Sequence, residues 1–338
     1  MLLSFTEKGI YCAQADCYID PWRPVQKALI THAHSDHARS GHKYYIAVRE
    51  SIPILKHRLG SFIKIESYGY GEKFSINGVK ISFHPAGHII GSAQIRLEYR
   101  GEVWVVSGDY KLENDGISSP FEPVKCHTFI TESTFGLPIF RWQPQEFIFD
   151  KINQWWKRNA ASGKVSIIAA YSLGKAQRVL QNLDASIGKI FTHSAIENTH
   201  DVLRNQGLKI LSGQKIEVSH KPDHFVGSMI LAPPSALGSG WINHFGLYEE
   251  AVVSGWMAVR GMRRQRNAQN SFVLSDHADW HGLNTAIHQT GAERIFVTHG
   301  YSDIFAQYLR EKGYDANVVG TEYAGDDEIE ITTIDNQI

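Results

Sequence analysis

From Gly9 to about residue 135 the apolar positions fall in short runs bounded by Gly, Pro or Asn. Residues 27–31, 79–83, 95–99 and 103–106 are such runs, and each predicts a β-strand. From about 145 to 260 the pattern changes. Residues 166–170, 189–192, 229–232 and 251–254 read as strands, and 174–184 and 194–206 as helices between them. Strands alternating with helices predict a small parallel α/β layer. Beyond residue 270 the alternation continues, with strands at 272–275, 294–298 and 316–319 and helices at 280–290 and 302–312. The segment from Thr321 carries six acidic residues and no basic one, which predicts a solvated terminus.

Composition adds limits to this pattern. At about 150 residues per domain, 338 residues imply roughly two domains. Hydrophobic residues make up 43% and charged residues 20%, which suits a soluble globular protein with a large core. Lys and Arg number 34 against 35 Asp and Glu, so the net charge is −1. That balance excludes a uniformly basic nucleic-acid coat but leaves room for a local basic groove. Cys12, Cys17 and Cys126 are too few and too scattered for a disulfide framework. Cys12 and Cys17 have no accompanying ligand residues and read as buried apolar side chains. Residues 1–10 hold no secretory-type apolar segment, and no apolar run approaches the ~20 residues of a membrane span. The expected compartment is the cytoplasm. Histidine stands out, because 17 copies in a chain of this kind prompt a search for metal sites.

The search leads to Thr31-His32-Ala33-His34-Ser35-Asp36-His37, directly after the apolar run 27–31. Histidines at i and i+2 can face one side of a loop leaving a strand, and Asp36 and His37 add an oxygen and a further nitrogen. Imidazole and carboxylate are the ligands expected for zinc or similar divalent ions. A chance cluster of surface histidines is the weaker reading.

This string resembles the HxHxDH signature of the metallo-β-lactamase fold, an αββα sandwich. Further strings match that family in order. His88 in Pro85-Ala86-Gly87-His88 matches its third histidine, Asp109 in Ser107-Gly108-Asp109 its bridging aspartate, and His299 in Val297-Thr298-His299-Gly300 its last histidine. Asp20 matches a buried aspartate that orients a ligand by hydrogen bonding. The resemblance implies two divalent metal ions, zinc with manganese as the alternative. His32, His34 and His88 would hold one, Asp36, His37 and His299 the other, and Asp109 would bridge them. Two ions roughly 3.5–4 Å apart can share an attacking hydroxide and clamp an in-line displacement at phosphorus.

Lactamases and thioesterases of the fold usually lack a long block between bridging aspartate and last histidine. Here the two are 299 − 109 = 190 positions apart, room for an inserted domain. Ile130-Thr131-Glu132-Ser133-Thr134-Phe135-Gly136 and Ser275-Asp276-His277-Ala278-Asp279 flank that block. With them the chain resembles the β-CASP group of metallo-β-lactamase-fold nucleases, which act on DNA or RNA. The implied architecture is α/β: an αββα domain formed by residues 1–145 and 266–338, with a smaller α/β (β-CASP) domain inserted at 146–265. His277 would be the general acid for the leaving oxygen, and Glu132 would orient it and raise its pKa. Asp36 and Asp109 would take part in catalysis through the metals.

The inserted block also offers phosphate contacts. Ser172, Gly174 and Lys175 lie where a buried strand meets a helix start, whose free backbone N–H groups attract anions. Arg260, Arg263, Arg264 and Arg266 read equally as a solvated face and as a backbone-binding patch. Trp142, Trp155 and Trp156 could stack bases, with core packing the stronger reading.

His299 at the final position points to the RNA-processing branch. Against it, Tyr18-Ile19-Asp20-Pro21-Trp22-Arg23-Pro24 and Leu274-Ser275-Asp276-His277-Ala278-Asp279-Trp280 are similar to the bacterial ligase-associated DNA exonucleases. The expectation is a metal-dependent phosphodiesterase: a DNA exonuclease of repair acting on strand ends, associated with an ATP-dependent DNA ligase and with no membrane partner. The alternative is an RNA-processing nuclease acting on RNA. A small-molecule hydrolase is disfavoured by the insertion and by the Glu132/His277 pair, and an inactive scaffold by the complete ligand set.

Overall fold

The computed structural model describes residues 1–211, 213–217, 219–265 and 270–322. The described residues form two compact units, one from Met1–Arg141 with the segment from His277 on, the other from Trp142–Asp276.

The first unit begins with a sheet in chain order: β1 (Ser4–Thr6), β2 (Gly9–Cys12), β3 (Cys17–Ile19), β4 (Lys27–Ile30), β5 (Tyr44–Val48) and β6 (Ile65–Tyr68). β1 to β3 pair antiparallel and β3 to β6 parallel. Cys12 and Cys17 face each other across β2 and β3 as free, buried thiols, matching the expectation of buried apolar side chains. The helix α1 (Ile52–Leu59), with Pro53 in its first turn, connects β5 to β6 and buries Ile54 and Leu55.

A second sheet starts with β7 (Lys73–Ile76), β8 (Val79–Pro85), β9 (Ala93–Tyr99), β10 (Glu102–Val106) and β11 (Thr128–Ser133). Asn77-Gly78, a strong hairpin signal, turns β7 into β8. Leu29, Ile46 and Val48 of the first sheet share one core with Phe83, Ile95, Trp104 and Ile130 of the second. The two sheets therefore pack face to face.

In the second unit, α2 (Gln145–Ala161) precedes a parallel sheet of β12 (Val165–Ala169), β13 (Ile190–Thr192), β14 (Gln214–Lys215), β15 (Met229–Ala232), β16 (Tyr248–Val253) and β17 (Asn270–Phe272). Their spatial order is β14-β13-β15-β12-β16-β17. The inner strands read VSIIA and MILA and are buried throughout, as expected where both faces of a parallel sheet are covered. Helices α3 (Lys175–Gln181) and α4 (Ser194–Asn205) follow β12 and β13, and the short α5 (Pro234–Leu237) and α6 (Arg260–Gln265) follow β15 and β16. Trp155 and Trp156 are buried, and Trp156 Nε1 donates to the Gly227 carbonyl at 3.0 Å, so these two rings are core. The strand expected at 272–275 runs instead over Asn270–Phe272. Past it, the Ser275 carbonyl accepts from Arg178 Nη1 at 2.6 Å, a side chain in place of a sheet partner.

The chain then returns to the first unit. Helix α7 (Trp280–Thr290) leads to β18 (Arg294–Gly300), and α8 (Ser302–Glu311) to β19 (Asp315–Val318). β18 pairs parallel with β11, completing the order β19-β18-β11-β10-β9-β8-β7. Leu283 and Ile287 of α7 and Phe305 and Leu309 of α8 pack on Val105, Phe129, Ile295 and Val297, covering the outer face of this sheet.

Candidate metal centre

The titratable cluster of the first unit gathers at one set of strand ends. His32 follows β4, His88 follows β8 and Asp109 follows β10, while Glu132 and His299 are the last-but-one residues of β11 and β18. β8, β10, β11 and β18 all run the same way, which brings their C-terminal ends together. The Thr31 carbonyl accepts from Ala93 N at 2.8 Å, which fastens the His32 loop of the first sheet to the start of β9 in the second.

Two glycines let the loops approach this closely. Gly87 has φ +74°, and a Cβ there would stand 2.1 Å from the Lys111 carbonyl oxygen. Gly300, at φ +77°, would place a Cβ 2.5 Å from the Ser133 carbonyl oxygen. Neither position accommodates another side chain without moving backbone.

The side chains converge on Asp109. Its Oδ2 lies 3.4 Å from His32 Nε2, 3.4 Å from His37 Nε2 and 3.9 Å from His88 Nε2, and its Oδ1 lies 3.7 Å from His299 Nδ1. His88 Nε2 is 3.1 Å from His34 Nδ1, and His37 Nε2 is 3.6 Å from Asp36 Oδ2. Ligand atoms of His32, His34, His88 and Asp109 lie within 4.8 Å of one another, as do those of His37, Asp109 and His299, and those of His32, Asp36 and His37. Asp109 is common to the first two groups. A further group of the same kind joins Asp109 to Glu132 and His277.

Supporting contacts fix the rings. Asp20 accepts from Thr31 N at 2.8 Å and from Thr31 Oγ1 at 2.5 Å, and its Oδ2 lies 2.8 Å from His37 Nδ1. That contact turns His37 Nε2 toward Asp109. Glu132 accepts from Tyr110 N at 2.8 Å and Thr134 Oγ1 at 2.6 Å, and meets His277 Nδ1 at 2.9 Å. The His277 ring sits 4.6 Å, centroid to centroid, from that of His88.

These residues fit divalent metal ions. His32 Nε2 and Asp109 Oδ1 are buried with no hydrogen-bond partner in the protein, a costly arrangement unless something else binds them. Burial drives His32 well below the usual imidazole range, leaving its nitrogen a neutral electron-pair donor. Burial also opposes a proton on His37, yet the carboxylates of Asp109 and Asp36 outweigh it and pull that ring well above its usual range. Burial likewise opposes charge on Asp109, but the His37 and His277 rings hold its carboxyl well below the usual range. A buried pocket that draws positive charge between two carboxylates, ringed by imidazole nitrogens, has the chemistry of a divalent-cation site.

The second unit holds the remaining candidates. Gly174 N donates to Gln177 Oε1 at 2.6 Å, and Gln177 Nε2 to the Ser172 carbonyl at 2.8 Å, so the start of α3 is capped from within. Lys175 is buried, its Nζ 3.8 Å from Asp276 Oδ2, and Arg178 Nη1 lies 3.5 Å from Asp276 Oδ1. Arg260, Arg263 and Arg264 are exposed on α6, and Arg266 lies outside the described residues. The sequence reading missed Arg178, Thr31, Tyr110 and Thr134. Thr31 and Thr134 stand inside the quoted motifs, and Arg178 lies one helical turn beyond Lys175, which are the signals that point to them.

The chain is 26% identical over 318 residues to a probable DNA ligase of Opitutus terrae, covering 93% of this chain and 31% of that protein. It is 33% identical over 130 residues to cleavage and polyadenylation specificity factor subunit 3 of Dictyostelium discoideum. It is 31% identical over 126 residues to endoribonuclease YSH1 of Saccharomyces cerevisiae. Each of the latter two matches covers 37% of this chain and 16% of the relative. The chain thus spans less than a third of the length of these relatives. The fold is that of the metallo-β-lactamases in its β-CASP form. Among solved structures, a protein of unknown function from Enterococcus faecalis shares the fold, with a TM-score of 0.59 and 11% identity over 88% of this chain and 80% of that one. No family model matches the chain. Among the described residues no helix is long and apolar enough to cross a membrane.

Proposed function

We propose that this β-CASP-type chain is a metal-dependent phosphodiesterase that trims DNA strands from their ends. The observation that carries the reading is the sharing of Asp109 between two groups of buried imidazoles, with the Glu132–His277 pair beside them. His32, His34, His88 and Asp109 would hold one ion, and Asp36, His37, His299 and Asp109 a second, zinc or manganese. Ions held there supply Lewis-acid polarisation and a nucleophile at neutral pH.

The chain's own groups do the rest. Asp20 keeps His37 from rotating away from the centre, and Glu132 holds His277 by Nδ1, leaving Nε2 to carry a proton to the departing oxygen. The exposed Arg260, Arg263 and Arg264 would meet substrate phosphates, whereas Ser172, Gly174 and Lys175, expected from the sequence to do so, are engaged within the second unit by Gln177 and Asp276. The likeness to the Opitutus protein runs along 93% of the chain, which supports DNA and a functional link to a ligase. An RNA-processing role is the second reading, supported by the shorter matches to an endoribonuclease. Digesting DNA and RNA strands labelled at each end, with Mn²⁺, Mg²⁺ or Zn²⁺, tests both. Stepwise loss of a linear DNA strand, with a closed circle spared, is expected. Preference for RNA, or efficient cutting of circles, would overturn the DNA exonuclease.

A further inference from the structure

Between Glu50 and Glu66 the chain has no acidic residue, and it carries Lys56, His57, Arg58 and Lys64. Within this stretch Phe62 is 85% exposed, its ring folded over Gly60 at the end of α1. A single exposed apolar side chain is ordinary; an exposed ring set among cations on an acid-free stretch is not. The stretch is tied to the metal centre at one end, because Arg58 Nη1 donates to the carbonyl of Ala33, the residue between His32 and His34. At the other end Lys64 lies over a second exposed ring. Its Nζ is 5.5 Å from the centroid of Tyr44, with Lys43 Nζ at 5.6 Å. Phe62 stands four residues past Arg58, so the chain keeps their Cα atoms within roughly 14 Å.

We propose that this strip is a binding subsite for single-stranded nucleic acid, with Phe62 as the stacking platform and Lys56, Arg58 and Lys64 as phosphate contacts. The proposal rests on the phosphodiesterase reading above and deepens it, since the strip leads away from the loop that carries His32 and His34. Aromatic faces interleaved with cations suit a strand whose bases are unstacked and whose backbone is anionic. An intact duplex offers no free base face, so the strip selects a single strand. A protein partner is the other occupant to test, but four basic residues with no acidic one between Glu50 and Glu66 match phosphates better than a mixed protein surface.

The full chain, metal-loaded, is assayed on a single-stranded oligodeoxynucleotide and on bis(p-nitrophenyl) phosphate, which carries no bases to stack on Phe62. Phe62→Ala should lower kcat/KM on the strand about 5- to 150-fold, the range of one lost base–aromatic stack. Its hydrolysis of the small diester should equal wild type, and Phe62→Trp should keep strand activity. At 85% exposure the Ala variant removes no core contact. Wild-type strand kinetics in Phe62→Ala would overturn the subsite while leaving the phosphodiesterase reading intact, as would equal losses on both substrates. A wild-type protein that degrades no strand would overturn both.

Discussion

His277 Nδ1 lies 2.9 Å from Glu132 Oε2, although 145 positions separate the two residues in sequence. Glu132 is held in turn by Tyr110 N and Thr134 Oγ1. The pair sets an imidazole held by a carboxylate beside Asp109, the arrangement the proposed proton donation needs. His277→Ala should therefore cost ~10²–10⁴-fold in rate on an ordinary phosphodiester while leaving metal content unchanged. On a diester with a good leaving group the loss should be much smaller. Equal losses on the two substrates would argue against proton donation.

Asp109 touches both imidazole groups, so Asp109→Ala should remove the link between them. Turnover should vanish and the metal content fall, with the far-ultraviolet circular dichroism unchanged. A fully active Asp109→Ala protein would dismiss the assignment.

Asp20 never reaches the centre itself, and acts through Thr31 and His37. Asp20→Ala should weaken metal affinity about 10- to 100-fold, as outer carboxylates typically do. The reading is a competition titration against a chelating dye, and unchanged affinity would return Asp20 to a purely structural role.

If Arg260, Arg263 and Arg264 contact phosphates, neutralising two of them should lower the salt slope of strand binding. The expected change is up to ~0.7 log units per lost single-strand contact. An unchanged slope would leave these arginines a solvated face.

In the second unit, burial opposes charge on Glu197, but hydrogen bonds from His200, Thr192 and Arg204 hold its carboxyl down at about 2. Its folded value is depressed. The stabilisation is therefore complete above the ordinary carboxylate range and fades as pH falls toward 2. Hydrogen exchange of residues 190–205 should be faster in Glu197→Gln than in wild type at pH 7, and the difference should shrink at pH 3. A difference that persists at low pH would exclude the carboxylate as its source.

Much of this site is legible in the sequence for a physical reason. Its loops follow short apolar strands, and the strand ends expected at 31, 83, 106 and 298 already mark where polar side chains escape the sheet. The helix at 280–290 is found at the residues expected, with Asp279 capping Gly282 N at 2.8 Å. Other features depend on partners distant along the chain. Thr31 matters because Asp20 folds back onto it, and Arg178 because Ser275 and Asp276 return to it 97 positions later. Short amphipathic strands such as β1 and β7 carry only three or four residues, too few for a pattern of alternation to declare itself.

The pairing of β11 with β18 has a consequence for how the protein is made. Thr131 meets Val297 across 297 − 131 = 166 positions of chain. A ribosome must pass residue 300 before His299 can join Asp109, and every shorter nascent chain lacks that neighbour. Until then β11 presents an open parallel edge, the kind of surface that invites mispairing. Prematurely terminated products would thus expose a strand edge and carry an incomplete set of imidazoles around Asp109.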